Sequence, residues 1–148
     1  MIEINNLTSF AVDKKFLSTV AKNVLIAENR EMESLSVAFV DADEIKKLNK
    51  KFRKKNKATD VLSFGNVSSF KFQVSREGLG EVVICPKVVE ENSKIRRPAD
   101  GNDFDKELAK ILIHGILHLL GYDHEKTKDE RIKMEEKEKN YLSALFKN

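Results

Sequence analysis

The stretch HGILHLLGYDH, residues 114–124, constrains this chain more than any other part of it. All three histidines of the sequence, His114, His118 and His124, fall within it. His114 and His118 are four residues apart in a strongly helical apolar pattern, so their imidazoles stack on one helix face, one turn apart. Two nitrogen donors in that arrangement suit one cation. Gly121 follows His118 at a distance of three residues, and a glycine takes positive φ at low cost, so it can end the helix and turn the chain. His124 then comes on the segment that doubles back. The full pattern, H-x-x-x-H-x-x-G-x-x-H, supplies three neutral nitrogen ligands and leaves a fourth tetrahedral position open for water. Three neutral ligands leave the ion's charge uncompensated, which favours a strong Lewis acid. The plainer reading is packing, since a lone histidine on an apolar face is usually a satisfied core residue. Three at this spacing, with a helix-ending glycine among them and no histidine elsewhere, favour the metal.

The rest of the chain mixes strands and helices. IEIN near the start is a short strand candidate. Phe16, Leu17, Val20, Ala21, Val24 and Leu25 recur at helical spacing between residues 13 and 28. LSVAFV, 35–40, alternates Leu35, Val37 and Phe39 and predicts a strand. Asp41 can cap the next helix, with Glu44 closing a capping box and Ile45 and Leu48 forming the apolar stripe. TDVLSF, 59–64, predicts a further strand, and 65–80 a loop with a short strand candidate at FKFQV. EVVIC, 81–85, predicts a buried strand, and Pro86 suits the first turn of a helix running to about Ile95. After RRPADGND, a largely buried helix runs from about Phe104 to Leu120. A last helix, about 126–146, buries Met134, Leu142, Leu145 and Phe146. This order, with a hairpin-like centre, predicts an α+β protein: a small mixed β-sheet packed with helices, one of them a zincin-like metal helix. A length of 148 residues suits one domain, 1–148, around one core. No apolar run reaches membrane-spanning length, the start lacks signal-peptide character, and a single cysteine, Cys85, fits a reducing compartment. These features predict a cytoplasmic protein with no membrane partner.

The net charge is only +3, but it is unevenly placed. KKLNKKFRKKNK, 46–57, holds eight basic residues and no acidic one. Such a run is either a solvated helix end or a phosphate-binding surface. In EKTKDERIKMEEKEKN the signs alternate, with Glu135 and Lys139 at i,i+4, which predicts a solvated helical face with no partner implied. The histidine spacing is that of the metzincin proteases, with one departure. Those enzymes place a glutamate directly after the first histidine as general base, and here that position is Gly115. A peptidase would lack its usual proton carrier. A phosphodiester suits the site better, because its cleavage can lean on a cation to stabilise charge developing at phosphorus.

Three segments together resemble the YbeY family, bacterial single-strand-specific endoribonucleases of rRNA maturation. HGILHLLGYDH resembles the family signature. LNKKFRKKNKATDVLSF, 48–64, resembles its second motif, an arginine after an aromatic residue and then a T-D-V-L-S-F strand. LGEVVIC, 79–85, resembles its third, usually G-D-I-V-I-S. The resemblance runs in order from about 35 to 124. It implies a metal, usually zinc and one per chain, on His114, His118 and His124, with the native metal left open. It implies a functional role for Arg53, at the arginine position of the second motif, where it would neutralise charge on phosphoryl oxygens. Lys50, Lys51, Lys54, Lys55 and Lys57 would guide the RNA backbone. The implied partners are single-stranded RNA, rRNA and the ribosome or its associated proteins, with no DNA specificity. Three departures stand out: Gly65 where proline is common, Cys85 where serine is common, and DGNDFDKELAK without the usual G-H-S.

Several residues carry two readings. Asp60 is a candidate to hold Arg53 or a ligand in place, yet Thr-Asp before a strand is ordinary turn chemistry. Tyr122 can stack on a base or pack beside a helix end. Asp123 can orient a ligand, act as a base or simply serve the turn. Phe52 can anchor its helix without touching RNA. Cys85 reads as a small buried thiol. Two rival functions remain at this point: a non-catalytic ribosome-assembly factor with a structural metal, and another zinc hydrolase such as a peptidase.

Overall fold

A computed structural model describes residues 1–65, 78–96, 104–122 and 127–145, without the side chains of 94–96. His124, Asp123, Phe146, the strand candidate FKFQV and most of RRPADGND lie outside the described residues. The elements run β1 (Ile2–Asn6), α1 (Lys14–Ala27), β2 (Leu35–Phe39), α2 (Ala42–Arg53), β3 (Val61–Gly65), β4 (Gly80–Ile84), α3 (Pro86–Arg96), α4 (Phe104–Leu119) and α5 (Lys128–Leu145). The α+β class is therefore observed, and α2 starts at the Asp41 cap that the sequence predicts. Asp13 Oδ1 accepts from Phe16 N at 3.0 Å, Asp41 Oδ1 from Glu44 N at 2.9 Å, and Thr127 Oγ1 from Glu130 N at 3.0 Å. Each satisfies one of the orphan N–H groups of a first helical turn.

The four strands form one mixed sheet in the order β1-β2-β4-β3. β1, β2 and β4 are parallel, and β3 runs antiparallel to β4 as an edge strand. Register decides the faces. Val37 pairs with Val82 and Val82 with Ser63, so these three point to one side. Ala38, Val83 and Leu62 point to the other. On the first side the sheet packs with Leu17, Val20 and Val24 of α1, Leu112 and Ile116 of α4, and Met134 of α5. On the second it packs with Ile45 and Leu48 of α2. Alternation in LSVAFV predicts one buried face, yet all five residues of β2 are buried. Helices cover both sides of this inner strand, as parallel strands usually require.

Glu81 lies in the middle of this apolar strand pair. It is 1 % exposed, on the α2 side of β4. Ser36 Oγ donates to its Oε2 at 2.9 Å, and its Oε1 has no partner among the described residues. Burial pushes its carboxyl up to about 7, against a smaller lowering by the Ser36 hydrogen bond. Among the described residues, no helix is long and apolar enough to cross a membrane.

Candidate functional site

The edge strand and the histidine helix form one cleft of about 580 Å³. His114, His118 and Leu119 of α4 line one wall. Val61, Ser63 and Gly65 of β3 line the adjoining one, since these are the β3 residues that face α4. Asn49, Arg53, Lys55, Lys57, Thr59, Asp60 and Leu62 complete the lining. The imidazoles of His114 and His118 lie 4.9 Å apart, centroid to centroid, at 67°. That closeness is the expected result of the i,i+4 spacing. α4 ends as Gly121 predicts: Gly121 has φ +102°, its N–H donates to His118 O at 3.1 Å, and Tyr122 N donates to Leu117 O at 3.0 Å. This paired closure is a Schellman motif, which turns the chain sharply after the second histidine.

Gly115 has a packing reason. A Cβ there would lie 2.7 Å from Val82 Cγ1 and 3.2 Å from Ser63 Oγ. Ser63 Oγ also donates to Gly115 O at 3.0 Å, pinning α4 against β3. The position after the first histidine thus faces the sheet and has no room for a side chain. The glutamate of the zinc proteases could not stand there without lifting the helix off the sheet.

Arg53 ends α2 on the opposite side of the sheet and reaches the cleft at the free edge of β3. Its Nη2 donates to Ser63 O at 2.9 Å, and its guanidinium carbon is 6.0 Å from the Phe64 ring centroid. Phe52 meets Phe64 edge-on at 5.1 Å, which makes it a packing anchor for the end of α2. Asp60 does not hold Arg53. Its carboxylate accepts from Thr59 Oγ1 at 3.4 Å and its carbonyl from Cys85 N at 2.9 Å. Cys85 is fully buried, and burial raises its thiol pKa, so it is not a cleft group.

The basic run divides. Lys55 and Lys57 line the cleft, whereas Lys50, Lys51 and Lys54 are exposed and outside its lining. The reason is Asn49, a buried residue that the basic run conceals. Its Nδ2 donates to Lys57 O at 2.9 Å, while its carbonyl accepts from Lys55 N at 3.3 Å. With Lys54 in the left-handed region at φ 62°, α2 stops and the chain folds Lys55 and Lys57 back over the cleft. An asparagine on the buried stripe of a helix with Ile45 and Leu48 was the available sequence signal.

Two groups in the C-terminal charge run have partners that alternating charge does not reveal. Glu138 of α5 hydrogen-bonds the Nδ1 of His114. Lys137 Nζ pairs with Glu28 Oε2 at 3.2 Å, where Tyr122 Oη donates to Glu28 Oε1 at 2.8 Å and Tyr141 Oη also donates. Burial alone would raise the Glu28 carboxyl, but the hydrogen bonds from Tyr141, Tyr122 and Lys137 together hold it below its ordinary value. Tyr122 is thereby a packing and tethering residue, not a cleft residue.

Comparison with known proteins decides what this cleft belongs to. Residues 3–146 match the family model for Endoribonuclease YbeY. The chain belongs to the YbeY family. An Endoribonuclease YbeY from Carboxydothermus hydrogenoformans is 38% identical over 148 residues, spanning 98% of this chain and 97% of the relative. One from Bdellovibrio bacteriovorus is 39% identical over 140 residues, spanning 88% and 85%. The solution structure of TM1509 from Thermotoga maritima superposes with a TM-score of 0.64 at 34% identity, covering 99% of this chain and 89% of that one. The three YbeY-like segments of the sequence converge in space. One forms the end of α4, one runs from α2 through the basic loop into β3, and one is β4, which carries β3.

Proposed function

We propose that this protein is a metal-dependent endoribonuclease that cuts single-stranded RNA, acting in 3′-end maturation of small-subunit rRNA and in ribosome quality control. It is a hydrolase of RNA phosphodiester bonds, as its family membership and its relatives named Endoribonuclease YbeY support. The observation that carries the site assignment is the cleft itself, which gathers Arg53, Lys55 and Lys57 with His114 and His118. Its volume and open rim suit a single strand laid along the basic side.

The donor set fits a zinc ion. Two imidazoles share one helix face at 4.9 Å, and His124 is the third donor expected from the sequence. A bound zinc would supply Lewis-acid stabilisation of phosphoryl charge and a more acidic water. The protein's own groups do the rest. Arg53 sits on a carbonyl at the cleft edge and can offer its planar fork to two phosphoryl oxygens. Lys55 and Lys57 neutralise neighbouring phosphates. The nucleophile is water or the RNA 2′-OH. The ribosome or its associated proteins are the expected partners, which places the protein in the cytoplasm.

A cleavage assay tests this reading. Metal-stripped and zinc-restored protein should be compared on a single-stranded RNA, its duplex, the matching DNA and casein. Cleavage of the single-stranded RNA alone, lost on stripping and regained with zinc, is the expected result. Binding without cleavage would instead support a non-catalytic assembly factor, and casein hydrolysis a peptidase.

A further inference from the structure

The apolar stripe that α5 turns to the core runs Met134, Tyr141, Leu142, Leu145. Glu138 stands on that stripe, four residues after the fully buried Met134 and four before Leu142. Its side chain is only 17 % exposed. A carboxylate in such a place costs free energy unless a specific partner holds it. The partner is His114 Nδ1, 24 residues away in sequence and on a different helix.

We infer that Glu138 is a positioning residue for His114. Resting on the metal reading above, the inference is that Glu138 accepts the Nδ1 proton, which fixes the ring's tautomer and plane and assigns Nε2 to the ion. Carboxylates behind ligating histidines act this way in metal sites generally, and their loss typically weakens metal binding by about 10- to 100-fold. A simpler alternative is that the pair only ties α5 to α4. The two differ in what they move. A tie moves the stability of the metal-free protein, whereas a positioning contact moves zinc affinity and the ring's tautomer.

The experiment compares wild type, Glu138→Ala and Glu138→Gln. Zinc affinity is read by competition with a chromophoric chelator, metal-free stability by thermal melting, and the His114 tautomer by ¹⁵N-edited NMR of the imidazole. Glu138→Ala should weaken zinc binding by about 10- to 100-fold. Glu138→Gln should recover most of that loss, because its amide oxygen still accepts from Nδ1–H, and the His114 proton should stay on Nδ1. If Glu138→Ala does not fold, the tautomer in wild type and Glu138→Gln decides. A proton on Nε2 in both would overturn the inference. Wild-type zinc affinity in Glu138→Ala, with only the melting temperature lowered, would reduce the contact to a helix tie. A wild-type protein that takes up no zinc would overturn the metal reading and this inference with it. Equal zinc binding in all three proteins would overturn the positioning role alone and leave the metal reading standing.

Discussion

Two polar regions flank the C-terminal end of α4, and they treat charge differently. On one side, Arg53, Lys55 and Lys57 with His114 and His118 line an open cleft of about 580 Å³. On the other, Glu28, at the C-cap of α1, collects Tyr122, Lys137 and Tyr141 into a hydrogen-bonded knot. In the knot each donor ends on the same carboxylate, so the Glu28 carboxyl is held low and the Tyr141 hydroxyl is pushed up to about 12, by burial first and then by Glu28. That region joins α1, the turn after α4, and α5. Its charges are spent on each other, and it is structural. The cleft presents its basic groups to an open space, and such groups are available to a substrate. The distinction is testable, because cleft substitutions should change rate or binding with little effect on folding, and knot substitutions the reverse.

The largest effect should come from Arg53→Lys. Lysine can keep one hydrogen bond to Ser63 O but cannot copy the fork. Single-turnover cleavage at saturating RNA should fall by roughly ten- to a thousandfold, the range of one lost transition-state charge contact. The melting temperature should hold. A wild-type saturated rate with weakened binding would move Arg53 into the general basic patch.

Glu81 sharpens the comparison, since it is a buried carboxylate with one donor where Glu28 has three. Its folded value, raised from 4.5 to about 7, means the native state keeps its proton longer than the unfolded chain. The Glu81 contribution to stability is therefore greatest below 4.5, declines as pH rises toward 7, and stays reduced above it. Glu81→Gln should exceed wild type in stability by up to about 3 kcal/mol at mildly alkaline pH, with the advantage vanishing in acid. Urea unfolding across pH reads this out, and a pH-independent difference would mean that Glu81 has a partner in its charged form.

Glu28→Gln should act with the opposite sign. The folded Glu28 carboxyl lies below its ordinary 4.5, so its contribution is present above that value and lost as pH falls through the folded one. At neutral pH the substitution should cost about 1–3 kcal/mol, the range for breaking hydrogen bonds to a charged, half-buried group. The gap to wild type should close in acid, and the saturated cleavage rate should be unchanged. A rate loss at constant stability would place the knot in the machinery of the cleft.

The smallest effect separates the lysines. Lys55→Ala should lower the salt slope of RNA binding by roughly one unit or less, with the saturated rate kept. Lys50→Ala, outside the cleft lining, should change it less. Equal slopes for the two variants would mean that RNA follows the outer face of α2 as much as the cleft.

Much of this was readable in the chain because it depends on neighbours in sequence. The cap at Asp41, the helical spacing of α1, Pro86 opening α3 and the glycine turn at Gly121 each rest on contacts within a few residues. So does the placing of His114 and His118 on one face. The family signature was legible for the same reason, since its segments are contiguous. What needed the tertiary structure joins residues far apart. The insertion of β4 between β2 and β3 makes β3 an edge, and only an edge carbonyl lets Arg53 come round from the other side of the sheet. Asn49 sorts Lys55 and Lys57 from the other lysines by hydrogen bonds that composition does not display. Gly115 is dictated by Val82, 33 positions away on β4, and Glu138 and Lys137 find partners on α4 and α1. Local periodicity specifies which way a side chain faces on its own helix or strand. Which residue it meets depends on how those elements pack, and that is decided by the pairing order of the strands and the burial of both sheet faces.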